Sequence, residues 1–493
     1  MSVVAPRLTR FGITVSRANW LDIMLAVLAV ASVVGVIRVA LTLDLPILYG
    51  TEGWVAYHAV EAASGLNPYP PPDGLYYNNY PPIGFYIVGW LGKLIGDTMI
   101  AGRTVSLFSF LVIVLGVGQA ARLMGCALRE AAFAALLSST ILLYDYTYVG
   151  LNDPHILGLA FETCGLVFLL RMPRTNASII LAAIFFAAGF FTKHALVTLP
   201  LVAGIWLLVY DRRNGLKLAL AGATLLGLGM AAFRLAFGRS LWAQLNDPRV
   251  WVLQYSVHAM VARSQAGLVP LAAAIALLKW FGRDKYVVLC VSYLVVSLLC
   301  AAYFLGGAGV GSKMLYDAVI ALSLCGGIGL NRIGALAVGR MPARPLYATC
   351  HFLPVVGILI YHPVTGTLPP HWWSYDSPAI ADTERDIAFV KSQSGPAFCM
   401  RPTLCFWAGK PAGTEAWGYV QAVTMGVRDG HELREAIAQR RYAVLQLLAP
   451  PDILGDAREV DAAYVQGLNR EIAANYRLAR KSFNGWFWVP KDK

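Results

Sequence analysis

Several charged side chains stand at the ends of long apolar segments, where a charge is costly unless it has a function. In chain order these residues are Glu52, Arg103, Asp153, His155, Lys193, His194 and Lys313. A carboxylate in such a position can act as a general base, and a Lys or Arg can stabilise an anion electrostatically. The set therefore predicts acid–base and anion-binding chemistry at one face of a membrane.

Five of these residues also have a purely structural interpretation. Glu52 could be an exposed carboxylate at the interface, and Asp153 lies in an Asn-Asp-Pro sequence that is typical of a turn. His155 alone is more typical of a buried, hydrogen-bonded histidine. Arg103 and Lys313 could extend their long side chains to the membrane surface. The sequence around these residues has to decide between the two interpretations.

The composition is that of a membrane protein. Of the 493 residues 57% are hydrophobic and 14% are charged, whereas soluble domains carry about 25% charged residues. The net charge of +12 does not indicate nucleic-acid binding, because the Lys and Arg residues lie in short loops between apolar runs. That distribution is the positive-inside pattern. We therefore predict membrane lipids as partners and no nucleic acid.

The basic residues in the loops also predict a topology. Arg7, Arg10 and Arg17 precede an apolar run longer than the roughly 7–15 residues of a signal-peptide core, which indicates a retained helix with a cytoplasmic N-terminus. Spanning helices need about 20 apolar residues. This length and the loop charges predict about 11 helices. They cover residues 21–43, 99–123, 131–148, a segment before 171, 178–191, a segment before 211, 216–237, 266–281, 286–305, 314–330 and 346–361.

Two more segments are predicted to lie at the membrane interface. Residues 83–95 are apolar but short, and Lys93 and Asp97 mark their end, which favours an interfacial helix. Residues 238–265 mix aromatic side chains with three arginines, and we predict an interfacial loop there. The first extracytoplasmic loop then comprises residues 44–98, within a transmembrane domain of residues 1–365.

Residues 366–493 are predicted to form a small α/β domain outside the cytoplasm, because helical and strand-like segments alternate in them. The predicted helices cover residues 383–393, 429–440 and 460–476, and the strand-like segments cover residues 398–400, 406–407, 442–448 and 485–489. The domain has no glycine-rich dinucleotide or Walker motif. We therefore expect no nucleotide-sugar site in it.

Six of the eight cysteines lie in apolar segments, where a thiol is most often a small core residue. Cys399 and Cys405 lie in the C-terminal domain, where an oxidising compartment would allow a disulfide if the chain between them turns back. The sequence leaves the disulfide and the free thiols open. It contains no Cys/His metal-ligand spacing, and no metal site is predicted. A divalent ion held by one Glu and one Asp also stays open.

Three elements follow one another in residues 49–92. Glu52 stands directly after the first apolar run, Gly65, Pro68 and Tyr69 form a G-x-x-P-Y element, and a Y-P-P element begins at Tyr80. Together they resemble the first extracytoplasmic loop of the GT-C glycosyltransferases, integral membrane enzymes that use polyprenyl-phosphate sugars. The family often has Asp, or an Asp-Glu pair, where this chain has a single Glu. The resemblance therefore implies no second role for a paired acid.

The resemblance implies roles for the charged residues. Glu52 matches the acid of the family and Asp153 resembles its second acidic element, so both are predicted to be catalytic, with Glu52 as the general base for the acceptor hydroxyl. No acid is needed at the leaving group, because phosphate is already a stable anion. The residues predicted to bind the donor phosphate are Lys193, His194, Arg103 and Lys313. The residues predicted to bind the sugar or the acceptor are Tyr57, Tyr69, Tyr80 and His155.

The expected fold is mainly α, a GT-C-type transmembrane bundle with a small C-terminal α/β domain, similar to bacterial protein mannosyltransferases and to aminoarabinose transferase-like and polyprenol-phosphate mannosyltransferase-like members. The expected function is inverting transfer of one monosaccharide from polyprenyl phosphate to an extracytoplasmic acceptor at the bacterial inner membrane, in cell-envelope synthesis. Transfer or polymerisation of a whole lipid-linked glycan is one alternative. A non-enzymatic lipid-sugar transporter is another, although transporters carry their site near the midplane.

Overall fold

The structure is a computed structural model that describes residues 20–71, 74–144, 148–246, 249–334, 343–365, 377–448 and 462–492. The three N-terminal arginines and the predicted domain boundary after residue 365 lie outside these ranges. The described chain is mainly helical, and its strands form one four-stranded sheet near the C-terminus. The predicted fold class, a polytopic helix bundle with a small α/β part, is confirmed.

Thirteen α-helices build the first part of the described chain, and a short 3₁₀ helix, Ser312–Leu315, leads into the twelfth. They are α1 (Trp20–Ala40), α2 (Glu52–Ala63), α3 (Ile83–Ile95), α4 (Thr98–Leu123), α5 (Leu128–Tyr144), α6 (Pro154–Leu170), α7 (Asn176–Phe190), α8 (Thr198–Tyr210), α9 (Arg212–Leu245), α10 (Leu253–Phe281), α11 (Lys285–Phe304), α12 (Tyr316–Gly334) and α13 (Ala343–Thr365). Among the described residues, six helices are long and apolar enough to cross a membrane, and α10 adds a seventh if its two halves, bent by 90°, count as one span. The protein is a multi-pass membrane protein.

Each of the eleven segments predicted to span the membrane is largely helical, and α3 has the predicted bounds. Four of the eleven, α5 to α8, form shorter helices of 13–17 residues than a span needs by length alone. The prediction of an interfacial loop over residues 238–265 is wrong. The helix is broken at Gly238 (φ 68°, ψ −150°), directly after its predicted end, but it resumes as far as Leu245, and α10 begins at Leu253. The outer end of α9 is held by packing: Leu241 is buried against Tyr69 of the first loop. The sequence also did not predict α2, which forms in the polar loop because its Val and Ala side chains pack against α3.

Small residues allow the central helices to approach one another closely. A Cβ atom at Gly327 of α12 would lie 2.8 Å from the carbonyl oxygen of Glu130 in α5 and 2.9 Å from the Cβ of Ala134. Such contacts take the place of the hydrophobic effect inside a bilayer, where lipid is as apolar as the side chains. Apolar side chains such as Val30 and Val33 of α1 are exposed on the outside of the bundle, as expected for a lipid-facing surface.

The C-terminal part combines five helices with the sheet. They are α14 (Pro378–Ser392), α15 (Pro402–Trp407), α16 (Ala416–Thr424), α17 (His431–Ala438) and α18 (Ala462–Asn475), with β1 (Ala397–Cys399), β2 (Val444–Leu447), β3 (Tyr476–Ser482) and β4 (Gly485–Pro490). The strand order is β1-β2-β4-β3, with β1 parallel to β2 and the other two pairs antiparallel. Residues 406–407, predicted as a strand, belong to α15 instead, because Pro402 starts a helix there. Cys399 and Cys405 form a disulfide across this turn, with 6.0 Å between their Cα atoms.

Candidate active site

Glu52 and Arg103 form a buried ion pair at the outer end of the bundle. Glu52 begins α2, and Arg103 lies near the start of α4, the helix that Asp97 caps. The Nε and Nη2 atoms of Arg103 donate to the Oε1 and Oε2 atoms of Glu52, each at 2.8 Å. Its Nη1 donates to the carbonyl oxygens of Leu43 and Leu45. The guanidinium is thus engaged by the first loop, and its side chain is 0% exposed.

Two backbone N–H groups complete the environment of Glu52. The N–H of Asn152 donates to Oε1 at 2.9 Å and the N–H of Tyr49 donates to Oε2 at 3.1 Å. With the two bonds from Arg103, four donors surround a carboxylate that has about four acceptor positions. Glu52 therefore fixes its own loop and the loop that precedes α6, which carries the other predicted carboxylate.

Asp153 is the N-cap of α6, with Pro154 at the first helical position, and its Oδ1 accepts the N–H of His155 at 2.9 Å. Its Oδ2 lies 2.5 Å from the Nζ of Lys313 in the 3₁₀ helix. Burial by itself would raise the pKa of Asp153, but the ammonium groups of Lys313 and Lys193 lower it to about 2. The carboxylate is therefore ionised at neutral pH and neutralised by a single cation.

Two cavities meet at Lys313. The carboxylate cavity, about 190 Å³, is lined by both acids. The cationic cavity, about 310 Å³, is lined by four basic residues, namely Lys193, His194, Arg249 and Lys313. Tyr80, Arg249 and Lys313 line both cavities. A ligand that fills the cationic cavity therefore lies next to the Asp153–Lys313 pair.

The cationic cavity has the features of an anion site. The Nζ of Lys193 lies 3.2 Å from the centre of the Tyr80 ring, and none of the described ion pairs includes this ammonium group. Burial and the nearby charge of Lys313 lower the pKa of Lys193 well below its usual value. Burial, Lys193 and Arg249 lower the pKa of His194 to about 4. An anion would therefore stabilise Lys193 in its charged form, while His194 would act as a neutral hydrogen-bonding group.

The other residues predicted to bind the sugar or the acceptor lie outside these two cavities. The hydroxyl of Tyr57 donates to the carbonyl oxygen of Lys410 in the C-terminal part. The hydroxyl of Tyr69 donates to the carbonyl oxygen of Tyr80 at 2.8 Å, which holds the Y-P-P element. His155 is buried with its ring 5.6 Å from that of Tyr316. Among the described residues, no group of three or more His, Cys, Asp and Glu side chains could hold a metal ion.

Some lining residues were not predicted from the sequence. Arg249 lines both cavities, and its Nη1 donates to the carbonyl oxygen of Ala308. The sequence contains a signal for Arg249, because the predicted topology places this arginine on the outer side of the membrane, which departs from the positive-inside pattern. Glu415, Trp417 and Gln421 of the C-terminal part line the carboxylate cavity. No local signal indicates these three, because they reach the cavity only through contacts between distant parts of the chain.

The fold is shared with known structures. ArnT from Cupriavidus metallidurans superimposes in the apo state with a TM-score of 0.59 at 16% identity, over 96% of this chain and 98% of that one. The form bound to undecaprenyl phosphate gives a TM-score of 0.58 at 16% identity over the same shares of both chains. The archaeal oligosaccharyltransferase AglB from Archaeoglobus fulgidus, in complex with an inhibitory peptide and a dolichol-phosphate, gives 0.55 at 11% identity over 97% of this chain and 75% of that one.

The mycobacterial arabinofuranosyltransferase AftD gives a TM-score of 0.51 at 14% identity, over 95% of this chain and 40% of that one. No family model and no curated protein sequence matches the chain. At these identities the likeness concerns the fold. The chain shares its fold with ArnT, AglB and AftD.

Proposed function

We propose that the protein is a membrane glycosyltransferase that moves one monosaccharide from a polyprenyl-phosphate donor to an extracytoplasmic acceptor, with inversion at the anomeric carbon. The observation that carries the proposal is the contact between the two cavities at Lys313, which joins an anion site to a pair of carboxylates. Two of the structural neighbours were solved with undecaprenyl phosphate or dolichol-phosphate, which supports a lipid phosphate as the ligand of the anion site.

The cationic cavity suits a lipid phosphate because basic and apolar residues line it together. Beside its four basic residues it is lined by Leu245, Trp251, Tyr303 and Phe304. Trp251, just before α10, and Tyr303, near the end of α11, are 47% and 65% exposed, which suits a surface that faces lipid. We propose that the phosphate binds Lys193, Arg249 and Lys313 while the isoprenoid chain leaves the cavity past these two aromatic rings.

The reaction requires a base for the acceptor hydroxyl. We propose that the donor phosphate takes Lys313 as its partner, which frees Asp153 to accept the hydroxyl proton. The acceptor oxygen forms a bond to the anomeric carbon, and the bond between that carbon and the phosphate oxygen breaks. The electron pair of the broken bond leaves with the polyprenyl phosphate. Lys193, Arg249 and Lys313 stabilise the phosphate charge that develops.

Glu52 belongs to the same machinery, but its surroundings favour a different role from the one predicted. A general base needs a free acceptor position directed at the proton it removes, and four donors occupy this carboxylate. We propose that Glu52 positions Asp153 through the N–H of Asn152. The prediction that Glu52 is itself the base stays a prediction, and the two roles can be separated by experiment.

The proposal also covers the location of the protein and the size of its substrate. The disulfide between Cys399 and Cys405 suits an oxidising compartment, so we propose a periplasmic C-terminal part on a protein of the bacterial inner membrane. A carboxylate cavity of about 190 Å³ is smaller than the roughly 300–1,000 Å³ of pockets for drug-sized ligands. This supports transfer of a single sugar over transfer of a whole glycan.

The test uses the full-length protein purified in lipid. It is incubated with a panel of polyprenyl-phosphate monosaccharides and bacterial envelope fractions as acceptors, and transfer is followed with radiolabelled sugar. We expect turnover with at least one donor, and Lys193→Ala should weaken donor binding. Lys93→Ala is the matched control, because Lys93 lies on the same side of the bundle but lines neither cavity. Movement of intact donor across the bilayer without sugar transfer would contradict the proposal of an enzyme and support the alternative of a transporter.

A further inference from the structure

The loop that carries Glu52 is held from outside by one residue of the C-terminal part. The Oγ1 of Thr403 lies 3.0 Å from the carbonyl oxygen of Tyr49 and 2.9 Å from that of Gly50, and it accepts the N–H of Gly53 at 3.0 Å. The N–H of Thr403 donates to the carbonyl oxygen of Gly50 at 3.2 Å. The side chain is 0% exposed. Thr403 thus binds the backbone on both sides of Glu52.

The loop and α15 lie so close together that only glycine fits between them. A Cβ atom at Gly53 would lie 2.4 Å from the carbonyl carbon of Pro402 and 2.4 Å from the nitrogen of Thr403. A Cβ atom at Gly50 would lie 2.9 Å from the Cγ of Arg401. Contacts shorter than 3.0 Å essentially never occur for a real Cβ atom. The two glycines on either side of Thr51 and Glu52 therefore allow the direct contact with Thr403.

Thr403 is itself attached firmly to the sheet. It lies within the segment closed by the disulfide between Cys399, at the end of β1, and Cys405 in α15. The N–H of Arg401 donates to the side-chain Oε1 of Gln446 on β2 at 2.8 Å. Gln446 is fully buried. The position of Thr403 is therefore set by the folded core of the C-terminal part.

We propose that Thr403 is a positioning residue for the transfer reaction, so that the C-terminal part belongs to the catalytic machinery. The inference rests on the proposed function. Thr403 fixes the loop 49–53, Glu52 on that loop binds the N–H of Asn152, and the next residue, Asp153, contacts Lys313 at the junction of the two cavities. Loss of the Thr403 hydroxyl would shift the carboxylates relative to the bound donor.

The test compares two buried threonines of the same part of the protein. Thr403→Val keeps the shape of the side chain and removes its hydrogen bonds, and Thr403→Ser keeps the hydroxyl. Thr383→Val is the matched control, because Thr383 is also 0% exposed and does not contact the loop 49–53. Its Oγ1 donates to the carbonyl oxygen of Ala379 at 2.7 Å and accepts from Asn484 at 2.9 Å. All variants are made in the full-length protein.

We expect Thr403→Val to lower kcat by roughly 10–100-fold, since a misplacement of about 1 Å can cost 10²-fold. The KM for the donor and the Kd for undecaprenyl phosphate should stay within about twofold, because no residue of the loop 49–53 lines the cationic cavity. Thr403→Ser should restore most of kcat, and Thr383→Val should lower the melting temperature with a normal kcat. A second readout is the energetic coupling between positions 52 and 403. In a Glu52→Asp background, Thr403→Val should lower kcat by a smaller factor than it does in the wild type.

The inference is overturned if Thr403→Val keeps the kcat of Thr383→Val, if Thr403→Ser loses as much kcat as Thr403→Val, or if the two substitutions at 52 and 403 are additive. These outcomes differ from a failure of the proposed function itself. If the proposed function is wrong, the wild-type protein transfers no sugar from any donor and does not bind undecaprenyl phosphate.

Discussion

The two carboxylate–cation pairs at the outer face differ in what surrounds them. Glu52 and Arg103 share two hydrogen bonds, two backbone N–H groups donate to Glu52, and two backbone carbonyl oxygens accept from Arg103. Asp153 and Lys313 share one contact of 2.5 Å at the junction of two cavities. The carboxylate of the first pair has no free acceptor position, whereas Lys313 of the second pair is accessible from a cavity and can exchange Asp153 for another anion.

We propose that this difference separates a structural pair from a reactive one. Breaking one member of a buried pair is strongly destabilising because the other charge stays unpaired. An ion pair at a cavity can be replaced by a ligand of the same charge, so a phosphate can take the place of Asp153 beside Lys313. The same type of pair thus has two functions, and the number of additional donors decides between them.

The largest expected effect is that of Asp153→Asn on catalysis. Loss of a general base typically lowers the rate by about 10²–10⁴-fold, and we expect a fall of that size in kcat. Binding of undecaprenyl phosphate should be as tight as in the wild type or tighter, because Lys313 loses its competing carboxylate. Asp97→Asn is the control, since asparagine also caps α4. Retention of more than about a tenth of the wild-type kcat, well above that range, would exclude Asp153 as the base.

Glu52→Gln should act on stability and on catalysis together. It leaves Arg103 unpaired in a buried site, which typically costs about 3–5 kcal/mol, and it releases the loop before α6, so kcat should also fall strongly. Thermal unfolding and transfer assays measure the two effects. Replacing both Glu52 and Arg103 by Met should recover much of the stability. If Glu52→Gln abolishes transfer while the stability is unchanged, Glu52 is the base, as the sequence predicted.

Lys193→Ala should weaken donor binding with a distinctive pH dependence. A hydrogen bond to a charged group contributes about 1.5–3 kcal/mol, or roughly 10–100-fold in Kd. Lys193 has a lowered pKa and binds phosphate in its charged form, so affinity should fall as pH rises and binding should take up protons. The probe is a polyprenyl-phosphate sugar, whose diester keeps one charge.

Calorimetry in buffers of different ionisation enthalpy measures this proton uptake. The titratable groups near the ammonium are Tyr80, His155, Asp153, with a pKa of about 2, His194, with a pKa of about 4, Lys313 and Arg249. The two with given pKa values titrate below pH 6, so Lys193→Ala should abolish the uptake at higher pH. Equal proton uptake in wild type and variant would show that Lys193 does not face the phosphate.

The smallest expected effect is a gain in stability rather than a loss. Glu162 of α6 is buried, and neither carboxylate oxygen has a hydrogen-bond partner within the described chain, which costs free energy in a protein interior. Glu162→Met should therefore stabilise the fold by about 1 kcal/mol, which in a chain of 493 residues raises the melting temperature by about 1 °C. Glu130→Met should lower it, because Glu130 pairs with Arg344. A lower melting temperature for Glu162→Met would indicate that this carboxyl group has a partner.

The sequence by itself determined the membrane bundle and most of its elements. Apolar length is a local property, so the helix over residues 83–95 and the eleven longer segments were predicted, as were three of the four strand positions. The loop 49–92 indicated the GT-C fold because its motif is contiguous. The errors occurred where packing overrides local composition, as in residues 238–265 and in residues 406–407.

The tertiary structure decided how the charged residues are paired. The sequence identified Glu52, Arg103, Asp153 and Lys313 as candidates from their positions at helix ends, but it assigned Arg103 to the phosphate and Glu52 to the proton. Arg103 instead pairs with Glu52 from 51 residues away, and Lys313 pairs with Asp153 from 160 residues away. Such partners depend on how whole helices pack, which no local pattern records. For the same reason the contact of Thr403 with the Glu52 loop, across 350 residues, is visible only in the folded protein.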